Sequence, residues 1–311
     1  MRDKYSIRSS GLNVCVQPRR GFLINSIGAN LSNTSLLWDR PGNLSGTIPD
    51  DLGEVGDASI ASFDKLFSGG WFPMFPSAGL PGIIDGRTTL LHGEACRLPW
   101  NLIAADREHV KARLLLRLSP FVATRSVRVE GSCIRVHTRI ENIGGLPASF
   151  TFGEHPCFSG ALFGGGRVSL DATGAYVLGP ALGLNGRLDP YQEFEWPYAL
   201  AAGQLVDVGR IPLSGENLQD HVAIRLKSGL ISLQSFDGLR EVRLEFNIAE
   251  FPFVLLWLKF DPHEVPDSWN VLSVELMTSW GWSPTDAEAT RTTRTLDPGD
   301  TAEFDVKMVV L

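Results

Sequence analysis

CIRVHTRI, residues 133–140, sets the fold class: Ile134, Val136, Thr138 and Ile140 alternate with Arg135, His137 and Arg139, the period of a strand with one face in a core and one in water. FVLLWLKF, residues 253–260, differs. Apolar almost without break, it is the pattern of a central strand covered on both faces. Working outward, strand-like runs bounded by Gly, Pro, Asn or Asp are expected at 110–118, 121–130, 148–155, 221–227, 230–235, 241–248, 271–277 and 302–310. No segment carries a sustained helical period with caps, and 32 Gly with 19 Pro suit many turns. The expectation is an all-β protein: one large antiparallel sandwich, residues 1–311 forming a single domain. The Gly-, Pro-, Asp- and Ser-rich stretch from Leu37 to Gly86 reads as long loops at one end of the sheet, where binding residues often sit. Residues 156–220 read as a second irregular region, holding the glycine triplet Gly164–Gly166 and the aromatic residues Tyr191, Phe194, Trp196 and Tyr198.

Composition narrows the partners. Hydrophobic residues at 43% and no apolar run near the roughly 20 residues of a bilayer span predict a soluble chain with no membrane partner. A net charge of -7 disfavours nucleic acid, which needs clustered cations against phosphate, and favours a neutral or mildly polar small molecule. Cys15, Cys96, Cys133 and Cys157 are widely spaced, and MRDKYSIRSS lacks a signal peptide's apolar stretch, so a reducing cytoplasm is expected without structural zinc or disulfides. The glycine triplet fits neither GxxxxGK[ST] nor GxGxxG, a weak basis for phosphate binding.

Four segments place ionisable groups where a structural strand does not need them: HGEACR (92–97), FGEHPCF (152–158), LQDHVAI (218–224) and LSVELM (272–277). Alternation in the last puts Leu272, Val274 and Leu276 on one face and Ser273, Glu275 and Met277 on the other, leaving Glu275 a lone carboxylate in an apolar strand. In the second, His155 shares a face with Ser149, Thr151 and Gly153, opposite Phe150, Phe152 and Glu154. His92 and Arg97 frame a turn before Trp100, and Asp220 heads the strand HVAIRL. Arginine's planar fork and aspartate's acceptors suit sugar hydroxyls, though either residue could equally form a surface ion pair.

Taken in chain order from about Trp71 to Leu311, these segments resemble the galactose mutarotase-like superfamily. GGWFPMFPSAG (69–79) followed by LLHGEACRLPW (90–100) looks like the signature of its aldose 1-epimerase and hexose-6-phosphate mutarotase branches. FGEHPCF is similar to the motif holding the catalytic histidine, LQDHVAI to the Asp-His element, FPFVLLWLKF with LSVELMTSWGW to the tract ending in the catalytic glutamate, and LDPGDTAEFDVKMVV to the closing strand. The resemblance implies a β-supersandwich, a sugar substrate and no organic cofactor; no metal is expected either, since the His and acidic residues lack zinc-ligand spacing such as HExxH. It implies catalytic roles for Glu275 and His155 and sugar contacts for His92, Arg97 and Asp220. Three positions depart from the pattern: Leu276 follows Glu275 where proline is usual, Cys157 stands for tyrosine, and FPMFPSAG lacks an arginine, leaving Arg97 to supply the guanidinium.

Interconverting anomers requires a proton to leave the C1 hydroxyl while O5 gains one, so one base and one acid on opposite sides of the hemiacetal suffice. Glu275 reads as the base and His155 as the acid, if a neighbour keeps the imidazole protonated. A sugar phosphate would need extra cations, for which Lys65 and Arg87 are the candidates. A glycosidase or lyase on the same fold would pair Asp220 with Glu275, and a non-catalytic carbohydrate-binding module would need neither Glu275 nor His155.

Overall fold

A computed structural model describes residues 3–29, 34–41, 52–179 and 186–311. One sheet organises the chain. Its main path runs through Tyr5–Arg8, Leu12–Gln17, Leu23–Ala29, Trp71–Met74, Gly153–Ser159, Asn270–Met277, Phe253–Phe260, Leu218–Gln234, Glu241–Phe246, Thr301–Val310, Cys133–Asn142, Phe121–Glu130, His109–Leu115 and Asn101–Ala105. Every pairing along it is antiparallel. The two ends curl towards each other, and the Arg8 amide donates to the Arg107 carbonyl at 2.7 Å. The sheet thus folds over a common core, as right-handed twist accumulated across many strands requires.

CIRVHTRI lies within Cys133–Asn142, where Ile134, Val136, Thr138 and Ile140 are buried and Arg135 and Arg139 exposed. Phe253–Phe260 is central, but its unbroken apolarity has two causes. Val254, Leu256, Leu258 and Phe260 enter the main core, whereas Phe253 and Leu255 join a second cluster with Trp257 packed against it. That second cluster surrounds a cavity.

Several expected boundaries shift. The runs at 221–227 and 230–235 are one strand, Leu218–Gln234, because Ser228 and Gly229 continue its extended backbone instead of turning it. The run at 148–155 is two, Ala148–Phe150 and Gly153–Ser159, belonging to different sheets. The irregular region 156–220 contains the eleven-residue strand Arg167–Val177, which pairs with Leu218–Gln234 through two register shifts; its small residues Ala172, Thr173 and Gly174 hide the strand from a hydropathy reading. The loop-rich stretch Leu37–Gly86 holds helix Ala58–Leu66 and strand Trp71–Met74. This helix has no side-chain N-cap bond and buries only Ser59 and Phe63, so its sequence carries little helical signal. Residues 42–51 of the first stretch and 180–185 of the second lie outside the described residues. Among the described residues, no helix is long and apolar enough to cross a membrane.

Candidate active site

Three cross-strand rows build the cavity. Glu154 pairs with Leu276 and Cys157 with Ser273, a register that sets His155 directly across from Glu275. His155 pairs on its other side with Phe72, and Glu275 with Leu255, giving the row Phe72, His155, Glu275, Leu255. Two residues along, Cys157, Ser273, Trp257 and His221 form the second row, and Lys259 opposite Gln219 begins the third. Directly opposed residues in antiparallel strands have β-carbons about 5 Å apart, so the ladder itself brings the imidazole and carboxylate together. Their contact is direct: His155 Nε2 lies 3.3 Å from Glu275 Oε1.

Loops and the short helix supply the rest. Ile60, Phe63, Asp64 and Phe67 reach in from helix Ala58–Leu66 and its C-terminal cap, His92 from the HG turn, and Trp269 and Trp282 from loops either side of Asn270–Met277. The cavity holds about 430 Å³, within the range of small-molecule sites. Its walls are mainly aromatic and aliphatic. Polar groups are few: Asp64, His92, His155, Gln219, His221, Lys259 and Glu275. Two buried nitrogens at this cavity, His92 Nδ1 and Trp257 Nε1, have no hydrogen-bond partner. Two glycines make the walls fit: a β-carbon on Gly93 (φ 73°) would stand 2.3 Å from the Phe75 carbonyl oxygen, and one on Gly79 (φ 81°) 2.2 Å from that of Trp282.

His155 is held from both sides. Its ring stacks on Phe72 with centroids 4.5 Å apart and meets His92 edge-on at 5.1 Å. Its Nδ1 lies 3.0 Å from Ser273 Oγ and 3.3 Å from Cys157 Sγ. Ser273 Oγ also donates to the Pro156 carbonyl at 3.2 Å. Desolvation dominates the electrostatics, because burial penalises whichever form carries charge. It raises Glu275 to about 8, opposed by a hydrogen bond from Ser273, and lowers His155 to about 3. His221 is lowered to about 3 by burial, and His92 falls well below its usual range through burial and then the nearby His155 and Arg97. Cys157 is pushed up and stays a thiol. Burial thus works against charge on both members of the pair, raising the carboxyl and lowering the imidazole.

Glu275 and His155 meet on the cavity floor and His92 lines its wall, but Arg97 and Asp220 do not line it. The Arg97 guanidinium lies behind Phe63, its Cζ 5.1 Å from the ring centre, and donates to the Ser59 carbonyl at 2.7 Å and to Ser62 Oγ at 2.9 Å. It pins helix Ala58–Leu66 to the HG turn. Asp220 points to the other face of its strand, where it accepts from the Arg187 and Leu188 amides and pairs with the Arg187 guanidinium at 2.9 Å. The neighbours Gln219 and His221 face the cavity instead. The same parity separates Glu154 from His155: Glu154 is buried beneath the sheet, accepting from Arg125 and from Trp71 Nε1 at 2.7 Å. Gln219, His221 and Trp257 were open to discovery by the alternation that located Glu275. Trp269 and Trp282 follow no such pattern, and Tyr191 and Tyr198 of the expected aromatic cluster are exposed elsewhere.

No protein-family model and no curated protein matches the sequence. Solved structures do. A candidate aldose 1-epimerase of Escherichia coli K12 superposes with a TM-score of 0.69 at 16% identity, over 99% of this chain and 98% of that one. A galactose mutarotase related enzyme of Lactobacillus acidophilus gives 0.69 at 16%, over 99% and 97%, and a candidate aldose 1-epimerase of Klebsiella pneumoniae 0.73 at 16%, over 97% and 77%. At such identities the likeness concerns architecture: the chain has the galactose mutarotase-like fold.

Proposed function

We propose that this protein is an aldose 1-epimerase, binding a free aldose in the cavity and exchanging its anomers. The observation that carries the reading is the His155–Glu275 contact at the floor of an aromatic pocket. Ring opening needs a proton acceptor and a proton donor within reach of O1 and O5 of one hemiacetal, and adjacent groups poised as base and acid supply both. The indole faces of Trp257, Trp269 and Trp282 suit the C–H face of a pyranose, while the unpartnered His92 Nδ1 and Trp257 Nε1 suit its hydroxyls. Uncatalysed mutarotation is already fairly fast, so two well-placed side chains are sufficient chemistry.

A neutral sugar fits this cavity better than a sugar phosphate. Lys259 is the one cationic side chain among its described lining residues, and it lies 3.3 Å from Asp261. Lys65 and Arg87 are not among them, and Arg87 pairs with Asp85 at 2.9 Å. Glycoside hydrolysis by Asp220 with Glu275 is not supported, because Asp220 is engaged on the far face of its strand. The four free cysteines suit a reducing compartment, and we place the protein in the cytoplasm.

Polarimetry or NMR of anomer equilibration over a sugar panel that includes hexose 6-phosphates tests the reading. Acceleration of at least one free aldose, lost in Glu275→Gln, is expected. Binding without acceleration at any pH would make the protein a carbohydrate-binding module.

A further inference from the structure

The cavity does not use up the face of the sheet on which it stands. Its row Phe72, His155, Glu275, Leu255 continues through Ala223 and Tyr176 to Glu193, and two residues along runs the row Phe253, Arg225, Gly174. Side chains two apart on a strand share a face, so both rows open to the cavity side. Above them lies a groove of about 530 Å³, bounded by Gly174, Tyr176, Glu193, Glu195, Arg225 and Trp280. The segment Trp280–Gly281–Trp282 serves both sites, Trp282 lining the cavity and Trp280 the groove.

Three features prepare this groove for a ligand. Arg225 is exposed, with its guanidinium carbon 5.0 Å from the ring centre of Trp280 and 5.1 Å from that of Phe253. Contact with the rings holds the fork without consuming its N–H donors, and among the described residues neither Arg225 nor Glu193 nor Glu195 has an ion pair or a side-chain hydrogen bond. Gly174, opposite Arg225, is not in the left-handed region, and a β-carbon on it would meet nothing within 4 Å. No turn or close contact requires that glycine, and glycine inside a strand costs stability; what it leaves is room. The register also slips beside it, between Ala172 and Gly174, a device that re-aims strands next to binding sites.

The mixture of groups selects the ligand. Two carboxyl groups beside one guanidinium disfavour an anion, the guanidinium disfavours a cation, and the half-buried Tyr176 and Trp280 add apolar surface. A neutral polyol satisfies all of them: its hydroxyls accept from arginine and donate to the carboxyl groups, while the C–H face of a sugar ring packs on aromatic surface. The groove is also larger than the cavity, about 530 against about 430 Å³, so it has space for more than one ring. We propose that this groove is a second saccharide-binding site, taking a neutral oligosaccharide. It goes beyond the anomer-exchange reading and does not depend on it, because it uses neither His155 nor Glu275.

The test uses a panel of methyl glycosides of neutral di-, tri- and tetrasaccharides, which cannot open their terminal ring and are read by binding alone. In protein labelled with 15N-tryptophan, the Trp280 indole signal is identified by its absence in Trp280→Phe. At least one glycoside should shift that signal in a saturable titration. Gly174→Leu, which fills the open space, and Arg225→Ala, which removes the fork, should each weaken the binding by about tenfold or more. Both should melt close to wild type, since the first meets no neighbour at its β-carbon and the second removes an exposed side chain. A Trp280 signal unmoved by every glycoside, even where the cavity indoles shift, overturns the inference. So does an unchanged affinity in either folded variant. Binding at Trp280 together with no catalysed exchange of any sugar would refute the proposed function and leave the second site standing; catalysed exchange without that binding would do the reverse.

Discussion

Replacing Glu275 with glutamine should make the protein more stable and nearly inactive at once. The carboxyl is 4% exposed and titrates near 8 instead of 4.5, with desolvation the cause. Below pH 4.5 the folded and unfolded states both keep the proton and nothing is lost. As pH rises through 4.5 the unfolded chain ionises while the folded one resists, so folding forfeits about 1.36 kcal/mol per pH unit until the folded group ionises near 8. At pH 7 the interval is about 2.5 units, or about 3 kcal/mol. Glutamine has no proton to lose and matches the neutral carboxyl in shape. Denaturant unfolding of the two proteins should coincide near pH 4.5 and separate by about 3 kcal/mol in favour of the variant at pH 7. Anomer exchange should meanwhile fall roughly 10²- to 10⁴-fold, as for a lost proton-transfer group. Coincident stabilities at pH 7 would mean that Glu275 is ionised in the folded state, and the desolvation argument would fail.

The other expectations follow from the same contacts. The kcat/KM profile should change near pH 3, where His155 and His221 both gain protons, and near pH 8, where Glu275 loses one, with His92 and Cys157 neutral between them; in Glu275→Gln the limb near pH 8 should vanish from the residual rate. Arg97→Ala should lower stability by about 2 to 4 kcal/mol in thermal or denaturant melts and raise KM by loosening helix Ala58–Leu66, because it leaves the Ser59 carbonyl without that donor; unchanged melting with lost activity would instead make Arg97 a direct sugar ligand. Asp220→Asn should reduce stability by about 1 to 3 kcal/mol while the folded enzyme keeps its anomer-exchange rate, since the carboxylate serves Arg187. Trp257→Ala should raise KM about tenfold or more in the anomer-exchange assay, with kcat less affected, if the indole packs against the sugar.

How far the sequence could be read depended on which side chains obey strand parity. Glu275 and His155 were legible because a polar group at the wrong beat of an apolar strand has few structural uses, and the ladder then places the two opposite each other. The same beat argued against Asp220: in LQDHVAI it falls with Leu218 and Val222, on the core side, and the resemblance outweighed the parity. Arg97 was illegible for a different reason. Its partners Ser59 and Ser62 lie on a helix whose own sequence barely marks it, and a buried arginine can be told from a binding one only when that helix is in place. Trp269 and Trp282 reach the cavity through loop geometry that no local period encodes. The direction in which each member of the pair shifts was beyond reach altogether, because it depends on burial.

The opposition of His155 and Glu275 across two hydrogen-bonded strands in the interior of the sheet bears on how such a site can change over time. The spacing of the two residues is a property of the backbone lattice, whereas helix Ala58–Leu66, the HG turn and the Trp269 and Trp282 loops form the outer wall of the cavity. Insertions or exchanges in those outer segments can reshape the cavity while His155 and Glu275 keep their separation, which under the proposed function would change the sugar held and not the chemistry. Libraries confined to the outer segments should therefore yield shifted substrate preference with the chemical step intact, whereas a register slip in Asn270–Met277 would abolish it at a stroke.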